Sequence, residues 1–207
     1  MSPVNGLSQL LLEVRACTAC AAQLPHAPRP VLQAHAAARL LVAAQAPGRR
    51  VHETGIPFND VSGERLRQWL GLSPEVFYDA RQVALVPMAF CFPGTGRGGD
   101  LPPPPACAQR WRQPLLDALP RVQLTLVIGR HALAWHCPQA ARSSLAEVVR
   151  DSARRWPDLI VLPHPSPRNN RWLARHPWFE AEILPPLRER VRRVLAAAQP
   201  EDERRAA

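Results

Sequence analysis

Lysine is absent from this chain: all 26 basic residues are arginines. A coding bias towards Arg, Ala and Pro is a sufficient origin, but the chemical consequence is the same whatever the origin. No side-chain amine can form a Schiff base, so imine chemistry is left to the N-terminal amine alone. No apolar run approaches the roughly 18–20 residues needed to cross a bilayer. The opening residues, MSPVNGLSQLLLEVRAC, lack the basic flank and the small-residue cleavage site of a secretory leader. Five cysteines, an odd number that includes one CxxC, do not suit the disulfide framework of a secreted domain. The expected setting is the cytoplasm, and the composition is bacterial in style. There is no internal repeat and no linker long enough to divide the chain. Residues 1–207 are therefore expected to form one domain and a monomer, with 198–207 as a frayed tail.

Acidic residues are in short supply too. Seventeen carboxylates against 26 arginines leave a net charge of +9, which points to a polyanionic partner, most simply nucleic acid.

Four short apolar runs, Leu40–Ala44, Val83–Val86, Leu124–Ile128 and Leu159–Leu162, read as buried parallel strands. Helical patterns separate them. Glu64–Leu70 follows a candidate cap at Ser62 and stops at Gly71. Ser144 and Glu147 form a capping box, and Leu187, Val191, Val194 and Leu195 share one helix face. Strands alternating with helices predict an α/β three-layer sandwich: a central four-stranded parallel sheet with helices on both faces. The Gly/Pro-rich segments AQAPG, PMAFCFPG, GRHA and HPSPRNN each follow a strand. In an open α/β sheet the carboxyl edge of the strands is where ligands bind, so one pocket built from four loops is expected.

The cysteines Cys17, Cys20, Cys91 and Cys107 form one close pair and two singles. A structural zinc site normally draws on two close Cys/His pairs, and only one is present. A thioredoxin-like CxxC opens a helix after a strand, whereas this one follows an N-terminal helical segment. The distribution suits a [4Fe–4S] cluster best, with zinc and free thiols as the alternatives. Cys137 is left over as a small buried hydrophobe.

Five motifs in order carry a family resemblance. They are CTAC (17–20), AQAPG (44–48), TGIPF (54–58), Cys91 with Cys107, and HPSPRN (164–169). Across roughly residues 9–195 the chain resembles the uracil-DNA glycosylase superfamily, most closely its iron–sulfur group, family four. The final motif is more similar to that of the single-strand-selective monofunctional branch. The resemblance implies a DNA partner, removal of uracil or a related deaminated or damaged base, and a cluster held by the four cysteines. Without lysine, such chemistry is expected to use water and to show no lyase step.

Hydrolysing an N-glycosidic bond requires the base to leave as an anion while a sugar cation is stabilised. A base in a duplex must first be flipped into a narrow pocket. His164 can donate to a base oxygen that becomes negative, the role the resemblance assigns it. Phe58 matches the aromatic on which the flipped base stacks. Pro165 and Pro167 stiffen the last loop. Ser166 can meet a phosphate, while Arg168 can enter the groove. Asn169, Asn170, Arg171 and Trp172 extend that edge. A solvated polar turn is the plain alternative for residues 168–172.

Two departures from the family stand out. Where family four has Glu, this chain has Gln45, and where the classical enzymes have Asp it has Ala46. Gln45 can orient a water but cannot take its proton. Asp60 is the expected replacement, with Glu53 and His52 behind it and simple helix capping as its alternative role. Pro87 stands where the Asn that reads uracil would align, which leaves the backbone of Met88 and Ala89, or Asn59, to read the base. The segment GTGRGGDLPPPP (94–105) reads as a bridge between Cys91 and Cys107, with Arg97 reaching a phosphate. A damage-binding protein of the same fold with weak or no turnover is the second functional expectation. An iron–sulfur adaptor without damage recognition is the third.

Overall fold

The computed structural model describes residues 3–196; the tail expected at 198–207 lies outside them. Helix α1 (Pro3–Arg15) leads through the CxxC to strand β1 (Leu40–Ala43). Helices α2 (Arg49–Thr54), α3 (Val61–Leu70) and α4 (Pro74–Tyr78) lead to β2 (Val83–Leu85). A two-strand hairpin follows, β3 (Thr95–Gly96) and β4 (Gly99–Asp100), then α5 (Pro105–Asp117), β5 (Leu124–Ile128) and α6 (Gly129–His136). The chain continues as α7 (Leu145–Arg155), β6 (Leu159–Leu162), α8 (Asn170–Arg175) and α9 (Leu184–Ala196).

The main sheet has the order β2-β1-β5-β6 and is parallel throughout, with Leu40 beside both Val83 and Leu124, and Leu126 beside Ile160. Its strands are apolar at nearly every position because both faces are covered. Alternation across the pleat assigns the faces. Leu41, Ala84 and Val86 pack with Leu11 and Val14 of α1 and with Trp111 and Leu115 of α5. Leu40, Val42, Val83 and Leu85 pack with Leu66 and Trp69 of α3 and Leu187 and Val191 of α9. Each fully buried Leu or Phe contributes roughly 1.5–3 kcal/mol, so burial on both faces holds the helices against the sheet. The expected three-layer sandwich is the observed one. No helix among the described residues is long and apolar enough to cross a membrane.

Local signals explain most element ends. Ser144 and Glu147 form the anticipated reciprocal capping box of α7. The expected cap of α3 is corrected: Asp60, not Ser62, is the N-cap, its Oδ1 accepting the Gly63 N–H at 2.8 Å. The helix therefore starts one turn earlier than the apolar pattern suggests and ends at Gly71 in the left-handed region. The hairpin is the strand pair the sequence did not announce. Its pairing, Thr95 with Asp100 and Gly96 with Gly99, is too short to leave a period-2 pattern.

Candidate active site

At the carboxyl edge of the main sheet lies a cavity of about 370 Å3, near the small end of the roughly 300–1,000 Å3 typical of ligand pockets. Its walls come from the loop after β1, the turn before α3, the end of β2, the hairpin, and the loop after β6. Gln45, Ala46, Phe58, Asp60, His164, Ser166, Arg168 and Asn169 all line it, drawn from three separate motifs except for Asp60, two residues beyond the second.

His164 follows β6 and Pro163. Its Nδ1 accepts the backbone N–H of Ser166 at 3.2 Å, so the neutral ring carries its proton on Nε2. Burial pushes the imidazole below its ordinary value, against the upward pull of Asp60 and Asp100. A neutral ring with a committed Nδ1 is an Nε2–H donor. Asn169 Nδ2 donates to the His164 carbonyl at 2.7 Å and so closes the loop on itself.

The rest of HPSPRN is held from outside. Ser166 Oγ accepts the Arg168 N–H at 3.3 Å and caps the short 3-10 turn Pro167–Asn169. Arg65 of α3 donates through Nη1 to the Ser166 carbonyl at 3.3 Å and to Asn170 Oδ1 at 2.8 Å. Arg65 was not anticipated, because a helix-surface arginine carries no sequence mark of what it braces. Arg168 reaches across to the hairpin, Nη1 donating to the Gly98 carbonyl at 3.4 Å.

Phe58 is the described non-glycine residue with positive φ, at 55°. Its ring meets Phe77 edge-on, centroids 5.9 Å apart, and Tyr78 Oη donates to its carbonyl at 3.3 Å. Backbone and ring are therefore both fixed, leaving a set aromatic surface at the cavity wall. Gln45 Nε2 donates to the Leu101 carbonyl at 3.3 Å, which ties the first pocket loop to the hairpin and leaves Oε1 as an acceptor.

Several expected contributors stand elsewhere. Met88 and Ala89 are buried, and their N–H groups are already given to the carbonyls of Ala44 (2.7 Å) and Gln45 (3.1 Å), continuing the sheet ladder. They have no backbone donor left for a base. Pro87 lines the cavity instead and has no N–H to offer. Asn59 is not among the lining residues, and its backbone N–H goes to the Ile56 carbonyl. Pro167 and Arg171, expected to meet DNA rather than to line the pocket, are exposed and outside the lining. Of the second-choice carboxylate substitutes, Glu53 is exposed and His52 stacks on His26 with centroids 5.2 Å apart; neither lines the cavity. Asp100, unmarked in the sequence reading, does line it.

Cys17, Cys20, Cys91 and Cys107 line a second, much smaller cavity, of about 20 Å3, between the end of α1, the loop after β2 and the start of α5. All four are half-buried, among Val14, Leu24, Phe90 and Trp111. Burial raises the thiols of Cys20, Cys91 and Cys107, the last to about 12, and their mutual repulsion adds to it. Opposing this, backbone hydrogen bonds from Arg29 and Phe90 reach Cys91 and Cys107. Trp111 Nε1 donates to Cys17 Sγ at 3.4 Å. Among the described residues no group of three or more His, Cys, Asp or Glu side chains could hold a metal ion as they stand. Cys137 is buried in the core, as expected.

A model of the uracil DNA glycosylase superfamily matches residues 32–188, which span the whole sheet and every residue lining the larger cavity except Val31. The match covers well over half the sequence and ends within α9. By its motifs, its sheet and this match, the chain belongs to the uracil DNA glycosylase superfamily.

Proposed function

We propose that the protein is a monofunctional DNA glycosylase that hydrolyses the N-glycosidic bond of uracil or a related deaminated base in DNA. The observation that carries this is the shared lining of one cavity by His164, Phe58 and Gln45, with the imidazole held as an Nε2–H donor. A flipped base stacks on Phe58. His164 donates to the base oxygen on which negative charge builds as the bond breaks. Water supplies the new oxygen at C1′, the bonding pair leaves with the base, and the water proton passes to a carboxylate at the cavity wall. Gln45 Oε1 helps to orient that water. With no lysine in the chain, the abasic product is released uncut. Ser166, Arg168 and Asn169 form the DNA-facing rim, and the net charge of +9 draws the polyanion to it.

The four cysteines are the residues that would hold a [4Fe–4S] cluster. Four sulfurs in an apolar lining with backbone N–H donors aimed at two of them suit thiolate ligation. They are spread around a cavity wall, whereas a zinc ion needs its ligands converging to about 2.3 Å from one point. Bound there, the cluster supplies a cross-link between α1, the loop after β2 and α5.

The test is release of free base from single- and double-stranded oligonucleotides carrying uracil, hypoxanthine or xanthine, with His164→Ala alongside. No release from any of them defeats the reading. A damage-binding protein with weak turnover is the second reading, favoured by Gln45 and Ala46 standing where relatives carry carboxylates. It predicts salt-dependent preference for damaged DNA without cleavage.

A further inference from the structure

We propose that Asp100, on the hairpin between the third and fourth cysteines, is the carboxylate that holds and deprotonates the attacking water, and that Asp60 serves to position the site. The inference rests on the glycosylase reading and assigns the one role that reading leaves open. The first pocket loop has no carboxylate, and two acidic residues line the cavity, Asp60 and Asp100.

Both face Gly48. A Cβ built on that glycine would stand 3.4 Å from Asp100 Oδ2 and 3.9 Å from Asp60 Oδ2. The side-chain position that glycine leaves open in the AQAPG turn is thus bordered by two carboxylate oxygens. Their commitments differ. Asp60 is locked into the cap of α3, with Oδ1 taking the Gly63 N–H at 2.8 Å, and its removal would weaken the start of that helix, two residues after Phe58. Asp100 belongs to no helix. Its Oδ1 meets Thr95 Oγ1 at the long distance of 3.5 Å, while Oδ2 faces the glycine.

Asp100 is also lashed in place from both sides of the cavity. Gln45 Nε2 bonds the carbonyl of the next residue, Leu101, and Arg168 Nη1 bonds the carbonyl of Gly98, two residues before. Gly99, between them, has φ 130°, and the Arg168 guanidinium fills the space its side chain would need. The first and last pocket loops therefore both grip the strand that carries Asp100. The negative charge of Asp100 is felt at His164, which puts the imidazole and the carboxylate within electrostatic reach of one ligand. An anion-stabilising donor on the base side and a carboxylate on the sugar side are the two groups that glycosidic hydrolysis requires. In the chemical step, a lone pair of the water oxygen forms the bond to C1′. The C1′–N pair leaves with the base, and the water proton goes to Asp100.

The test combines single-turnover base release with binding to two abasic-site duplexes, one carrying a neutral tetrahydrofuran and the other a cationic pyrrolidine in place of the sugar. Asp100→Asn is expected to slow release by about 10²–10⁴-fold while leaving affinity for the neutral analogue within about threefold, the signature of a group acting on the transition state. It should also abolish any preference for the cationic analogue, and Asp100→Glu should restore part of the rate. Asp60→Asn, which preserves a capping oxygen, should cost less than Asp100→Asn. Release by Asp100→Asn within about threefold of wild type, or a larger loss in Asp60→Asn, overturns the assignment. If the wild-type protein releases no base, the glycosylase reading itself fails, and the binding arm still decides on Asp100. A cation preference that Asp100→Asn removes keeps its carboxylate beside the sugar; one that is absent or unchanged refutes it.

Discussion

The carbonyl oxygen of Phe58 occupies the place where Gly63 would carry a side chain: a Cβ built there would lie 1.8 Å from it. The contact explains why a glycine stands in the first turn of α3: a side chain there would displace the carbonyl of Phe58, a residue already at a backbone angle that residues other than glycine seldom adopt. Asp60 completes the arrangement by accepting the Gly63 N–H. Aromatic wall, carboxylate and helix start are one unit.

Gly63→Ala is expected to push the Phe58 carbonyl away and destabilise the fold by about 1–3 kcal/mol or more, as overpacking against backbone does. Thermal melting and base release should fall together. An unchanged melting temperature would mean that the turn relaxes freely.

His164→Ala should reduce base release by about 10²–10³-fold, the usual loss for one donor to a developing anion, while binding to neutral abasic DNA persists. The pH dependence has a definite sign. Burial holds the imidazole below its ordinary value, so it is already neutral at pH 7 and gains its proton only on acidification. Raising the pH from 6.5 to 8 should therefore produce no decline of the rate attributable to His164. A decline over that interval that vanishes in His164→Gln would show that the charged ring is the active one.

His136 is expected to add to the protein's acid sensitivity. It sits against Arg112, whose Nη2 lies 2.7 Å from its Nε2; the guanidinium can only donate, so Nε2 must accept and the ring must be neutral. Burial and then the neighbouring charge press it down to about 3. The unfolded chain takes up this proton below about pH 6.5 and the folded chain does not until near pH 3, so stability is lost as pH falls through that interval. His136→Gln keeps an acceptor and cannot titrate. Urea titrations at pH 7 and 5 should show a smaller acid loss in the variant, and equal losses would place the sensitivity elsewhere.

Cys20→Ser and Cys107→Ser should each lower bound iron in protein purified without air and reduce melting temperature, whereas Cys137→Ser should leave iron content unchanged. Iron analysis with visible absorption reads both. Equal iron in all three variants would remove the cluster from these four cysteines.

The strands were legible because each is a short, continuous apolar run buried on both faces, and the observed limits differ from the expected ones by one residue at Ala44 and Val86. His164, Phe58 and Gln45 were legible as walls of one cavity because they sit in Pro- and Gly-marked loops. The N–H groups of Met88 and Ala89 are taken because bonds to the Ala44 and Gln45 carbonyls continue beyond the end of β2, which the unbroken apolar run through residues 83–90 does not reveal. Asp100 and Arg65 were missed for a common reason. Each acts at a contact with residues distant in the chain, Asp100 beside Gly48 and Arg65 at Asn170. Nothing in the residues flanking them records such a contact.

Behind the cavity, Arg112 is almost fully buried on the helix that also carries Cys107. Its Nη1 holds the carbonyls of Val86 at 2.5 Å and Pro87 at 3.3 Å, while its Nε finds no partner. Burial brings even this guanidinium down to about 10. The Pro87 side of the cavity is thus a ring that has no N–H to offer and whose own carbonyl is held from behind. On the proposed function, discrimination there would be by outline, as a keyhole tests a blade: a base substituent that projects towards Pro87 would be refused for its bulk, whatever hydrogen bonds it could have made.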